Sequence, residues 1–235
     1  MTQDISRLIR DFFDVCFSSQ EIFETRQELQ FKGEMLVENC CHRTSRLCQA
    51  VIAETLEKRT MRILACCLMP NHWHLVLWPE NDNDLGAFMQ RLTITHVIRW
   101  QKHRGQVGYG HLYQGRFKSF MVDTDDYFYQ VVRYVERNAL RANLVKRAQQ
   151  WQWGSLWIRE FGEADHRKLL SDWPVRKPRN WVNYVNKPAS EKELKALRQS
   201  CNRGSPYGDQ DWIEKTAKKF GLESTLRKPG RPRKN

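Results

Sequence analysis

Hydrophobic and polar positions follow two rhythms along this chain. Leu47, Val51, Ile52 and Leu56 recur at helical spacing behind Thr44 or Ser45 as an N-cap, with Glu54, Glu57, Lys58 and Arg59 on the remaining positions. The apolar run 61–69 predicts a buried strand, Pro70-Asn71 a turn, and 72–78 a second strand. Asn83 or Asp84 caps a helix whose stripe is Leu85, Phe88, Met89, Leu92, His96 and Trp100, and the glycines at 105, 108 and 110 end it. Residues 111–122 read as a third strand, with Gly115 marking a bulge or a close backbone approach. An acidic cap cluster at 123–126 then starts a helix that runs to 139–141. This irregular alternation predicts an α+β core with a mainly antiparallel sheet.

The two ends read differently. Phe12, Phe13, Val15 and Phe17 show no clean period, so the first 43 residues are expected to mix helix and loop. Pro174, Pro178 and Pro188 break 171–190 into a linker, followed by short helices at 191–199 and 211–220. Residues 227–235 hold five basic side chains and are expected to form a disordered tail. The organisation is thus an atypical N-terminal segment (1–44), a core domain (45–160), a linker with short helices (161–226) and a basic tail (227–235).

Composition narrows the function classes. Nine tryptophans and 11% aromatics among 235 residues exclude wholesale disorder, although a mean hydropathy of −0.71 is polar. No apolar run approaches the roughly 18 residues of a membrane span. The N-terminus carries Asp4, Arg7 and Arg10 without an apolar stretch, so a cytoplasmic protein is expected. The seven cysteines include the adjacent pairs Cys40-Cys41 and Cys66-Cys67, which fit neither disulfide nor zinc spacing, and are expected to be free. Of the net charge of +12, the stretch 87–150 contributes +7, from eleven basic residues against four acidic ones. Trp100, Tyr109, Tyr113, Phe117 and Phe120 interleave with those charges, a composition suited to single-stranded nucleic acid. A solvated basic face over core aromatics would have the same composition.

The chemistry concentrates in two places. On a strand, alternation puts His72, His74, Val76 and Trp78 on one face and Trp73, Leu75 and Leu77 on the other. Two imidazoles so placed can converge on one ion, though ordinary histidines also occur in this pattern. Tyr134 and Asn138, four apart, share a helix face with Tyr127, Val131 and Arg141 nearby, while Phe128, Val132 and Val135 make the apolar side. A phenol can attack a phosphodiester, and an amide oxygen beside two imidazoles can complete a divalent-cation site that leaves positions for phosphate oxygens. The plain alternative is a half-buried helix tyrosine.

Together these segments carry a resemblance. The run from Met69-Pro70-Asn71-His72-Trp73-His74 to Leu77 is similar to the His–hydrophobic–His (HUH) box of single-tyrosine (Y1) transposases of the IS200 type, and more closely of REP-associated tyrosine transposases. Tyr113-Gln114-Gly115-Arg116-Phe117-Lys118-Ser119, the Tyr134 to Ala142 helix, Trp153-Gly154-Ser155 and the Gly230-Arg231-Pro232-Arg233-Lys234 ending fit in order and spacing. The resemblance implies a ferredoxin-like (RRM-like) antiparallel sheet with helices on one face. It also implies His72, His74 and Asn138 as ligands of Mg²⁺ or Mn²⁺ and Tyr134 as nucleophile. The implied reaction is cleavage and rejoining of single-stranded DNA at hairpin-forming repeats through a 5′-phosphotyrosine, by a monomer or homodimer. Arg116, Lys118, Arg133, Arg137 and Arg141 are the candidates for phosphate contacts, Tyr113 and Phe117 for base stacking, and Arg231 and Arg233 for an AT-hook-like minor-groove contact. The opening strand of that family is not found in 1–44, where 35–39 is at most a remnant, and Ala139 stands where many relatives carry proline. A lost central strand would favour a second reading, a DNA-binding protein without catalysis. A zinc hydrolase would need an H-E-x-x-H arrangement, which the chain lacks.

Overall fold

The computed structural model describes residues 12–18, 34–70, 72–108, 110, 112–113, 116–124 and 126–227. The Asp125 cap, Gly115 and the basic tail with Arg231 and Arg233 lie outside the described residues. Strands β1 (Phe12–Ser18), β2 (Arg62–Leu68), β3 (His72–Trp78) and β4 (Lys118–Val122) form one sheet in the order β2-β3-β1-β4. Every pairing is antiparallel. Helix α1 (Glu34–Lys58) connects β1 to β2, and α2 (Asp84–Arg104) connects β3 to β4. Strand–helix–strand, strand–helix–strand in this sheet order is the ferredoxin-like arrangement.

Two expectations about the N-terminus are corrected. The central strand is present: β1 pairs with β3 on one side, Cys16 opposite His74, and with β4 on the other, Cys16 opposite Lys118. Its sequence hides it, because Phe12 and Phe13 adjoin and Asp14 interrupts the run, and a strand in a sheet covered on both faces need not alternate. Residues 35–39, offered as a strand remnant, belong to α1, which begins well before the expected cap at Thr44 or Ser45.

The two connecting helices lie on one face of the sheet, as expected of this fold, and a further helix covers the other. On the first face Trp73, Leu75 and Leu77 of β3 pack against Val51 and Ile52 of α1 and Phe88, Met89 and Leu92 of α2. On the second, Val76, Phe120 and Val122 pack against Phe128, Val131, Val132 and Val135 of α3 (Asp126–Glu136). Both faces of the sheet are apolar, so each must find a cover. A bulge in β2 between Ile63 and Ala65 serves this two-sided core: the extra residue Leu64 joins Ala65 on the α3 side. Helix α2 ends at Gly105, whose φ of 66° closes the turn with bonds to the Gln101 and Lys102 carbonyls.

The remainder comprises α4 (Asn138–Arg141), a 3₁₀ turn (Ala148–Gln150), α5 (Ser155–Phe161), α6 (Ala164–Arg167), α7 (Trp181–Asn186), α8 (Glu191–Arg203), α9 (Gln210–Phe220) and α10 (Glu223–Leu226). It is not a loose linker. Trp181 is 1% exposed and meets Trp173 edge to face, 4.9 Å between ring centroids, above Phe128 and Tyr129 of α3. The same half of the chain covers both edges of the sheet. Leu68 N–H donates to the Trp153 carbonyl at the β2 edge, and Tyr207 exchanges bonds with Met121 and Asp123 at the β4 edge. Open edges would invite pairing with another chain. Cys48, Cys66 and Cys67 are buried thiols that form no disulfide. Among the described residues no helix is long and apolar enough to cross a membrane.

Candidate active site

The second sheet face carries the histidines. As the alternation predicted, Val76 and Trp78 join the core under α3 while Trp73, Leu75 and Leu77 join the opposite one, so His72 and His74 look toward the tyrosine helix. Helix α3 is held there by its apolar stripe, which leaves Tyr134 half-buried at the rim. The chain turns at Arg137 and resumes as α4, so Tyr134 and Asn138 stand on successive turns of a nearly continuous helix.

The side chains converge. The His72 and His74 rings meet edge to face with centroids 5.2 Å apart, and the His74 and Tyr134 rings do the same at 5.7 Å. His74 and Asn138 are 3% and 1% exposed. Arg141 donates through Nη2 to Asn138 Oδ1 at 2.5 Å and lies with its guanidinium carbon 4.8 Å from the Tyr134 ring centre. Burial, then the neighbouring His74, then the charge of Arg141 push the His72 imidazole down to about 4, so it is neutral at pH 7. Cys67, directly across from His74 in β2, is fully buried, and burial drives its thiol upward, which makes it an inert neighbour.

Register places one further cation. Cys67, His74, Cys16 and Lys118 form a single row across the four strands. Residues of one row share a sheet face, so exposed Lys118 stands on the histidine face two strands away, roughly 10 Å from His74 in backbone spacing. Lys118 Nζ donates to Asn202 Oδ1 at 3.2 Å. Arg116 is exposed beside it.

Other predicted contacts do not gather there. Arg133 is 7% exposed, ion-paired with Glu193 and stacked over Tyr184, 4.3 Å from its ring centre. Arg137 donates to the Val185 and Asn186 carbonyls at 3.1 and 2.5 Å and holds the end of α7. The Arg133 guanidinium is thus spent inside the fold, whereas half-buried Arg137 uses one of its nitrogens there. Tyr113 and Phe117 pack on the α1–α2 side, Tyr113 sharing a 2.5 Å hydrogen bond with His96, away from the histidine face. The structure thus brings neither ring to the histidine–tyrosine cluster. Sequence reasoning missed Glu136, fully buried two residues after Tyr134, which accepts from Ser155 Oγ at 2.6 Å and Trp181 Nε1 at 2.7 Å. The one available signal was a carboxylate on the apolar side of the tyrosine helix.

The donor set suits a divalent cation. Among the described residues no three His, Cys, Asp or Glu gather in a metal-binding group. The cluster instead offers two imidazoles and the Oδ1 of Asn138, and that oxygen already faces a positive group, Arg141. Neutral imidazole and amide oxygen together leave coordination positions for substrate oxygens.

Residues 18–138, more than half of the chain, match the family model described as "Transposase IS200 like". The chain belongs to the IS200-like transposase family. The match begins at the last residue of β1 and ends at Asn138, so it contains both histidines, the tyrosine and the asparagine of the cluster. No curated protein matches the chain. Among solved structures, this IS200-like transposase is similar to a REP-associated tyrosine transposase bound to a REP hairpin, at 14% identity, with a TM-score of 0.48, over 81% of this chain and 93% of that one.

Proposed function

We propose that this IS200-like transposase is a metal-dependent transesterase that cuts and rejoins single-stranded DNA beside hairpin-forming repeats through Tyr134. The observation that carries the reading is the edge-to-face meeting of His74 and Tyr134 at 5.7 Å, with His72 and Asn138 completing the cluster. The central strand β1 supports this reading over a catalytically dead alternative, because the sheet beneath the histidines is complete.

His72, His74 and Asn138 would hold Mg²⁺ or Mn²⁺, which when bound supplies positive charge to polarise the scissile phosphate. Tyr134 Oη forms a new ester bond to phosphorus while the bond to the departing 3′ oxygen breaks. The phenolic proton passes to solvent, and the leaving oxygen takes one up to become a free 3′-OH. The 5′ end remains on Tyr134 as a phosphotyrosine. One phosphoester replaces another, so attack by a 3′-OH on the phosphotyrosine runs the step backward and rejoins DNA. Burial of His74 and Asn138 fixes the geometry before substrate arrives. Arg141 at the cluster and Lys118 on the same sheet face, with Arg116 two residues before it, would supply the phosphate contacts.

A covalent-adduct assay tests this. Protein and the Tyr134→Phe variant are incubated with Mn²⁺ or Mg²⁺ and labelled single strands from the DNA flanking the gene, then run on a denaturing gel. A shifted band that needs metal and disappears in the variant is expected; a band that persists in Tyr134→Phe would refute the assignment.

A further inference from the structure

We infer that Arg141 is a built-in placeholder for the divalent cation, holding the metal-binding oxygen of Asn138 until the cation displaces it. The inference rests on the proposed metal site and concerns a residue that site does not include. Two contacts support it. The guanidinium binds Asn138 Oδ1 at 2.5 Å, the same oxygen that would ligate the cation, and the same guanidinium covers the Tyr134 ring at 4.8 Å. A buried amide oxygen without a donor is costly, and Asn138 is 1% exposed. Arg141 removes that cost in the metal-free protein, while its own position at the surface lets the long side chain leave. Once a cation sits on Oδ1, two positive groups share one oxygen, and repulsion at that separation drives the guanidinium out. Its exit uncovers Tyr134 and frees a positive group at the place where the DNA backbone passes. The partner exchanged is thus a divalent cation at one step and a phosphodiester oxygen at the next.

Arg141 is a positioning residue in this scheme, and its removal should strengthen cation binding, a gain that a merely structural lesion does not produce. Mn²⁺ is titrated into the full chain and free Mn²⁺ is followed by electron paramagnetic resonance, for the wild type and for Arg141→Met, Arg141→Lys and His72→Ala. Arg141→Met keeps the stem and loses the donor and charge, and should bind Mn²⁺ about tenfold tighter. Arg141→Lys should fall between it and the wild type. If the wild type binds through His72 but Arg141→Met binds no more tightly, the placeholder role is overturned and the metal site stands. If Mn²⁺ binding is absent in both the wild type and Arg141→Met, or is unchanged in His72→Ala, the metal site itself falls and the placeholder with it.

Discussion

Glu136 and Trp181 are joined by a 2.7 Å hydrogen bond across 45 residues of chain, and the carboxylate that accepts it is fully buried two positions after Tyr134. Ser155 Oγ donates to the other carboxylate oxygen at 2.6 Å. The tyrosine helix is therefore anchored from beneath by α5 and α7, elements outside the ferredoxin-like sheet. Burial raises the Glu136 carboxyl above its ordinary value, while the Ser155 and Trp181 donors and the Arg159 charge pull it back.

The Trp181→Phe substitution keeps most of the buried ring and removes one donor from that carboxylate. A buried acceptor deprived of its partner costs about 2 kcal/mol. Denaturant unfolding should show that loss, and the Tyr134 adduct should form more slowly in conditions where the variant remains folded. Unchanged stability would mean that α7 does not anchor the helix.

Two cations that look equivalent in the sequence should behave in opposite ways. Lys118→Ala removes an exposed charge from the histidine row, so affinity for a single strand should fall and the log–log salt slope should shrink by about 0.7, with stability unchanged. Arg133→Met breaks a buried pair with Glu193 and should cost roughly 3 kcal/mol of stability while leaving the salt slope in place. Filter binding across a salt series and thermal unfolding of both variants separate the two roles.

The sequence displayed the site better than the scaffold. The period of two in 72–78 and the four-residue spacing of Tyr134 and Asn138 are local, so each half of the cluster was legible in residue spacing, while their joint role rested on the resemblance to the family. Strand β1 was not, because its pattern is broken at Phe12-Phe13 and its partners lie more than fifty residues away. The fate of the arginines was equally hidden. Arg133 and Arg137 look like surface charges until α7 and α8 fold over them, and α7 lies within, and α8 just after, the proline-broken stretch that reads as a linker. Whether a charge meets solvent is a tertiary property.

Acid should weaken the fold through His96. Its ring is 6% exposed beside Tyr113, and burial holds it down to about 4 against an ordinary 6.5. A depressed histidine means that the unfolded chain binds the proton first as pH falls. The stabilisation is fully present above about 6.5 and is lost progressively toward 4, a range worth up to about 3 kcal/mol. Urea titrations at pH 7, 5.5 and 4.5 should show a shallower decline in His96→Gln than in the wild type. Equal slopes would mean that His96 charges freely in the native state.

A methyl group at Gly208 should loosen the cover of the β4 edge without touching the active cluster. Tyr207 N–H donates to the Met121 carbonyl at 2.8 Å, and Asp123 N–H donates to the Tyr207 carbonyl at 2.9 Å, so one residue supplies the whole edge pairing. Its neighbour Gly208 passes so close that a Cβ there would lie 2.6 Å from Asp123 Cβ and 2.6 Å from the Trp212 ring. Neither can retreat cheaply, because Asp123 is fixed by its backbone bond to Tyr207 and Trp212 opens the first turn of α9 behind the Asp209 cap. Overpacking of this kind costs about 2 kcal/mol. The cost falls first on the docking of 204–227, of which Tyr207 packs against Phe120 in the core under α3. Limited proteolysis of Gly208→Ala should therefore cut within 204–227 well before the sheet domain is digested, while the Mn²⁺ binding proposed for His72 and His74 is unchanged from the wild type. A digestion pattern identical to the wild type would mean that this segment is not held at the β4 edge, and the edge would then need another cover.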